Sequence, residues 1–279
     1  MPPAWLNVVV LAILLLVVVV VLILFVDTWR RRQGSTAEGW NRINAGIVVV
    51  LLFAIGTAIA QMFLEGRTEF GCRILHHVSA TLSNTGASLV KVLFIARLLE
   101  VNKLPNKWET VLDRGLLATT FLYWILGITW LNATLRTAVV ENACIVILDP
   151  TGAAFSLLIP QFIDVVTNVR LWQVLQVVKS RPGVKLLVAT TFASCLTSDI
   201  INVFSVLIMM QIIPLDPSLI TIWLTFELAF DACSTALPTI IVRFARRPDE
   251  GRTSWARIQI LPSRHPPKPH EMHPQTPNG

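Results

Sequence analysis

Apolar positions in this chain run in long blocks rather than at alternating or three-to-four-residue intervals. Val8 to Val26 contains no polar residue. Comparable stretches cover 43–64, 73–98, 113–132, 145–170, 185–212 and 218–242. A helix needs about 20 mostly apolar residues to cross the hydrocarbon core of a bilayer. The pattern therefore predicts seven transmembrane helices, the first over 5–26. Transmembrane strands alternate polar and apolar residues over about 10 positions, and these blocks do not. The fifth block holds Asp149, Pro150, Gly152, Pro160 and Asp164. A kink is expected there.

The expected fold class is all-α, a polytopic membrane bundle. A short leader, 1–4, precedes a helical domain, 5–242. A basic, Pro-rich tail, 243–279, follows and is expected to be disordered. Within that tail Trp255, Ile258 and Leu261 could share one face of a short helix lying on a membrane. A cleaved signal peptide has a basic start and a shorter apolar core. In the first block the basic residues, Arg30, Arg31 and Arg32, come after the apolar run. A retained anchor is the expectation.

Composition sharpens this reading. The 279 residues are 54% hydrophobic and 14% charged. Soluble domains carry about 25% charged residues. Too little polar surface remains to coat a soluble enzyme or a nucleic-acid module. The net charge of +6 sits in short loops and in the tail.

Lys and Arg concentrate on the cytoplasmic side of membrane proteins. One set of alternate loops holds Arg30, Arg31, Arg32 and Arg42, then Lys103, Lys107 and Arg114, then Lys179, Arg181 and Lys185. The other set holds only Arg67, Arg73 and Arg136. This predicts an outer N-terminus and a cytoplasmic C-terminus. Anionic inner-leaflet lipids are the expected partners of the tail arginines. Trp5, Trp29, Trp130 and Trp172 fall at span ends, whereas Trp124 falls mid-span, where a packing role is expected.

The expected topology exposes Asn132-Ala-Thr134, a glycosylation sequon, on the outer face. It also places Cys72 and Cys144 at the outer ends of spans three and five. Disulfides are chemically permitted on that side. Cys195 and Cys233 lie mid-membrane and read as small packing residues.

Polar residues inside the blocks are the candidate chemistry. An ionisable group in a span costs at least about 2.5 kcal/mol and faces the bundle interior. Span one has none and is expected at the lipid-facing periphery. Span three carries His77, Thr81, Asn84, Ser88 and Lys91 at helical spacing, with small residues beside them, and is the expected central helix. Asp149, Asp164, Asp199, Glu227 and Asp231 oppose a single deep base, Lys91. At ~1.5 Å per residue, Lys91 and Asp164 both lie roughly 10 Å from the cytoplasmic ends of their spans. They are the expected ion pair. Asp199 lies mid-membrane with Asn202 one turn away, and Glu227 shares a face with Asp231. Two close carboxylates in low dielectric cannot both ionise cheaply, so one is protonated or a cation sits between them. The cluster reads either as a cation, proton or amine pocket between spans three, six and seven, or as a network that only holds helices together. His76 and His77 are adjacent and point in different directions, so they form no i, i+4 metal pair. No nucleophile motif, phosphate loop or CxxC pair is present. No enzyme activity, cofactor or metal is expected.

Seven spans with an outer N-terminus and the Cys72/Cys144 pair resemble the rhodopsin-like G-protein-coupled-receptor architecture. In that family a cysteine opening span three precedes an inner arginine by twenty-five residues, the separation of Cys72 and Arg97. The run Lys91-Val-Leu-Phe-Ile-Ala-Arg97 is also similar to span three of fungal orphan seven-transmembrane proteins. The resemblance implies a Cys72–Cys144 disulfide, Arg97 as a cytoplasmic switch, a heterotrimeric G protein as partner and the plasma membrane as location. Receptor residues flanking that arginine are replaced by Ala96 and Leu98, and the span-seven motif is reduced to Leu237-Pro238. Asp231 stands where the opsins carry their retinal lysine. The expected function is that of an orphan receptor sensing an extracellular ligand. The alternative is a proton- or cation-coupled secondary transporter using the buried acids, whose interrupted fifth span suits a midplane site. A structural membrane protein without a small ligand is a third class.

Overall fold

A computed structural model describes residues 4–30, 38–63, 69–101, 107–134, 136–140, 143–147, 150–177, 182–209, 212–213 and 217–245. Seven long helices follow one another: α1 (Ala4–Arg30), α2 (Glu38–Met62), α3 (Glu69–Val101), α4 (Lys107–Thr134), α5 (Pro150–Val177), α6 (Pro182–Met209) and α7 (Pro217–Phe244). Among the described residues, six helices, α1 to α4, α6 and α7, are long and apolar enough to cross a membrane. Residues 246–279 of the tail, among them Trp255, Ile258 and Leu261, and Asp149 lie outside the described residues.

Each helix forms for a local reason. The first is built largely from Val, Leu and Ile, and Val alone would favour a strand. A lipid-exposed segment, however, must satisfy its own backbone hydrogen bonds, and a helix does so within one chain segment. Proline occupies the first position of α5, α6 and α7. Its missing N–H is one of the helix's unpaired donors in any case, and its φ is already helical. Glu109 in the first turn of α4 and Arg30 in the last turn of α1 complement the helix dipole.

Two expectations are corrected by the connection after α4. The bundle is all-α, but Arg136–Val140 (β1) and Ala143–Ile147 (β2) pair as an antiparallel hairpin, with Val139 opposite Cys144. The fifth span was expected from 145; the helix instead begins at Pro150 and runs to Val177. Ile145, Val146 and Ile147 are β-branched and precede Asp149-Pro150. The residue before a proline is biased away from helix, so this short apolar run ends as a strand.

The helix at the centre is α3, which packs against α2, α4, α5, α6, α7 and both strands. Two apolar clusters meet on it. One joins Val18 and Phe25 of α1, Ile47 and Leu51 of α2, Val90 and Phe94 of α3, Val188 of α6, and Ala229, Ala232 and Ala236 of α7. The other joins Ile95 of α3 to Leu116 and Tyr123 of α4 and Ile163 of α5. Small residues set the tight contacts. A Cβ on Gly86 would lie 2.8 Å from Leu228 Cδ1 and 3.5 Å from Phe53 Cβ, so glycine lets α2, α3 and α7 converge there. By contrast α1 leaves Ile13, Leu16 and Ile23 more than half exposed, as a lipid-facing helix would. Trp124 packs inward and its Nε1 donates to Thr85 Oγ1 at 3.2 Å.

Candidate functional site

Four helices bring their polar residues to one region of the interior. Lys91 of α3 and Asp164 of α5 form an ion pair, both side chains 6% exposed. Asn202 of α6 also donates to Asp164, Nδ2 to Oδ2 at 3.4 Å. One turn further along α5, Asn168 donates to Asp199 of α6. Across the other face of α6, Ser198 Oγ donates to Asp231 Oδ1 of α7 at 2.5 Å. Nearer the hairpin end, Trp223 Nε1 donates to Ser205 Oγ at 2.7 Å, and Ser205 donates to Glu227.

The cluster therefore spans α3, α5, α6 and α7, with α5 contributing more than the sequence pattern indicated. Glu227 and Asp231 share the α7 face read from their spacing, yet each is met by a different α6 hydroxyl. Each carboxylate thus accepts from a hydroxyl of its own, which favours its charged form in a low-dielectric interior. Asn84 lies apart from this cluster. It faces α4, where a Cβ on Gly127 would come within 2.9 Å of its Nδ2.

On the other side of Lys91, Arg97 is 2% exposed, six residues along α3. Its Nη2 donates to the backbone oxygen of Thr235 and, at 3.2 Å, to Thr239 Oγ1. Its Nε and Nη1 have no hydrogen-bond partner among the described residues. Pro238 lies inside α7 and cannot donate to the carbonyl four residues earlier. That carbonyl belongs to Ser234, and Arg97 reaches the next one, of Thr235, in the turn before the proline.

At the same end of the bundle, Arg170 of α5 bonds Asp113 of α4 through Nε at 3.1 Å and Nη2 at 3.4 Å. Glu109 Oε2 lies 3.3 Å from its Nη2, and Gln173 Oε1 accepts from its Nη1 at 2.7 Å. Sequence reasoning passed over this network because both residues lie near predicted span ends. It also missed Asn168, Ser198, Ser205 and Trp223. Asn168 follows Asp164 by one turn, which was the available signal. The serines had none, because a lone serine in a span most often hydrogen-bonds a backbone carbonyl.

At the hairpin end, Cys72 is buried and α3 packs on β2, the strand carrying Cys144. Cys195 and Cys233 are free thiols. Asn132 occupies the last turn of α4, exposed, with its Nδ2 donating to Ile128 O at 2.9 Å and its Oδ1 accepting from His77 Nδ1 at 2.8 Å. Among the described residues, no three His, Cys, Asp or Glu side chains are arranged to hold a metal ion.

No protein-family model matches the sequence, and no curated protein matches it.

Proposed function

We propose that this membrane-embedded helical protein is a seven-span, receptor-like sensor, with its N-terminus outside, its tail in the cytoplasm and the plasma membrane as its location. Its ligand is a small extracellular molecule that enters from the hairpin end and engages the Lys91, Asp164, Asp199, Asn202, Glu227 and Asp231 cluster. A heterotrimeric G protein is the proposed partner at the cytoplasmic loops, and the protein is not an enzyme. The Cys72–Cys144 disulfide belongs to the same proposal. Its support is that Cys72 is not among the free thiols and that α3 packs on the strand of Cys144.

One observation favours sensing over transport. A cation crossing the bundle from the acid cluster towards the tail end would meet Arg97, a buried guanidinium about 9 Å from Lys91 along α3. A fixed positive charge in a pore is an electrostatic barrier to cations. Arg97 also couples the cluster to α7 through Thr235 and Thr239. A ligand that rearranges Lys91 and Asp231 shifts the packing of α3 on α7, and only a ligand with different affinity for the two packings drives that change.

Two assays decide between the readings. Membranes carrying the chain and added G-protein heterotrimers are challenged with a panel of small polar amines and acids, and guanine-nucleotide exchange is measured. A compound-dependent rise that is lost in Asp231→Asn supports the sensor. Uptake into proteoliposomes that follows an imposed pH gradient and is lost in Asp199→Asn would overturn it in favour of a carrier. Epitope tags on each terminus, probed in intact cells, test the orientation. A tail accessible without permeabilisation refutes it.

A further inference from the structure

Asp164 and Asn168 on α5 face Asn202 and Asp199 on α6 as two crossed Asn–Asp pairs. Each asparagine uses its amide nitrogen on the opposite aspartate. The remaining oxygens are then left over. Asn168 Oδ1, Asn202 Oδ1 and Asp199 Oδ1 are buried and accept no hydrogen bond among the described residues. Asn168 is 7% exposed and Asn202 5% exposed, whereas Asp199 is partly exposed with its Oδ1 covered. Nearby hydroxyl donors are committed elsewhere, Ser198 to Asp231 and Ser205 to Glu227. Thr167 and Thr197 donate to backbone carbonyls of their own helices. Three covered acceptors with no donor, on facing turns of α5 and α6, are unfavourable, since each unmet group carries its desolvation penalty.

Charge points the same way. Lys91 is ion-paired with Asp164. Among the described residues, no Lys or Arg nitrogen pairs with Asp199. The facing turns of α5 and α6 therefore carry three hard oxygen atoms without donors, two from amides and one from a carboxylate that has no cationic partner in ion-pair contact among the described residues. Hard oxygen donors select alkali and alkaline-earth cations. A divalent ion would want more carboxylate charge than one free aspartate offers.

We propose that α5 and α6 hold a monovalent alkali cation between Asn168, Asp199 and Asn202. The site lies beside the Lys91–Asp164 pair and clamps the two helices together. It goes beyond the sensing role, because it rests only on these oxygens and holds for a sensor and a carrier alike.

The full chain, purified in lipid nanodiscs, is melted in NaCl and in N-methyl-D-glucamine chloride at equal ionic strength. Sodium is expected to raise Tm by a few degrees, in a saturable manner. Asp199→Asn keeps an acceptor for Asn168, removes the charge and abolishes the sodium dependence. Its Tm in N-methyl-D-glucamine chloride is expected to equal or exceed that of the unaltered chain. Sodium-23 NMR on the unaltered chain is independent of any variant. Line broadening that potassium competes away is the expected result. Equal Tm in the two salts without line broadening, as a protonated Asp199 beside a trapped water would give, overturns the proposal. So does a full sodium response in Asp199→Asn. A sodium response without ligand-dependent nucleotide exchange would retire the sensor reading and leave this site standing.

Discussion

Asp164→Leu is the sharpest perturbation of the interior. It removes the counterion of Lys91, whose side chain is 6% exposed, and it removes an acceptor of Asn202. Breaking one half of a buried ion pair leaves an uncompensated charge and costs about 3–5 kcal/mol. That is roughly 10²- to 10³-fold or more in the folding equilibrium at 25 °C. Lys91→Met should be milder. Asp164 keeps the amide of Asn202 as a donor and can take up a proton, whereas the ammonium of Lys91 has no second carboxylate in ion-pair contact among the described residues. The double variant Lys91→Met/Asp164→Leu replaces the pair with apolar groups of similar volume. It should lie within about 1–2 kcal/mol of the unaltered chain, because buried pairs and apolar replacements are often close in stability. The assay is reversible unfolding in mixed micelles, carried through the full double-mutant cycle. A coupling energy of about 2–3 kcal/mol is expected for side chains in direct contact. Additive single effects would mean that Lys91 and Asp164 do not meet in the folded protein, and the account of the cluster would fail with them.

Three further outcomes follow from the packing. Gly86→Val drives a branched side chain into Leu228 and Phe53 and should cost about 1–3 kcal/mol, read in the same unfolding assay. Gly115→Ala should stabilise α4 by about 0.5–1 kcal/mol, because nothing lies within 4 Å of an added Cβ and glycine is a poor helix residue. Asp113→Ala removes the buried partner of Arg170, which keeps Glu109 and Gln173, and should cost about 1.5–3 kcal/mol, while Glu109→Ala should change stability by only about 0–1 kcal/mol, because Glu109 is partly in solvent. Comparing the two variants by thermal melting checks that burial, rather than the number of ion pairs, sets the energy.

The helices themselves were legible in the apolar blocks, because a chain in lipid has few ways to satisfy its backbone and length alone then marks each span. The pairing of Lys91 with Asp164 lay within reach of depth arithmetic, since both residues sit on nearly straight rods of known rise. Boundaries were less legible. The strand at Ile145–Ile147 and a helix beginning there share the same apolar composition, and only the partner strand Arg136–Val140 separates them.

What the linear order could not contain is which face of each helix meets which neighbour. Asn84 and Lys91 lie on one stripe of α3, yet one turns to Gly127 of α4 and the other to Asp164 of α5. Periodicity fixes an angle around a single axis, whereas the rotation and tilt of seven axes relative to one another come from side-chain fit across their interfaces. Asn168, Ser198 and Ser205 acquire their partners only through that fit, as does Arg97 its contacts with Thr235 and Thr239 of α7. Sequence thus determined that polar groups would be buried together in a membrane bundle. Tertiary packing decided which of them would meet, because hydrogen bonds form across distances of about 3 Å that no spacing along one chain can specify.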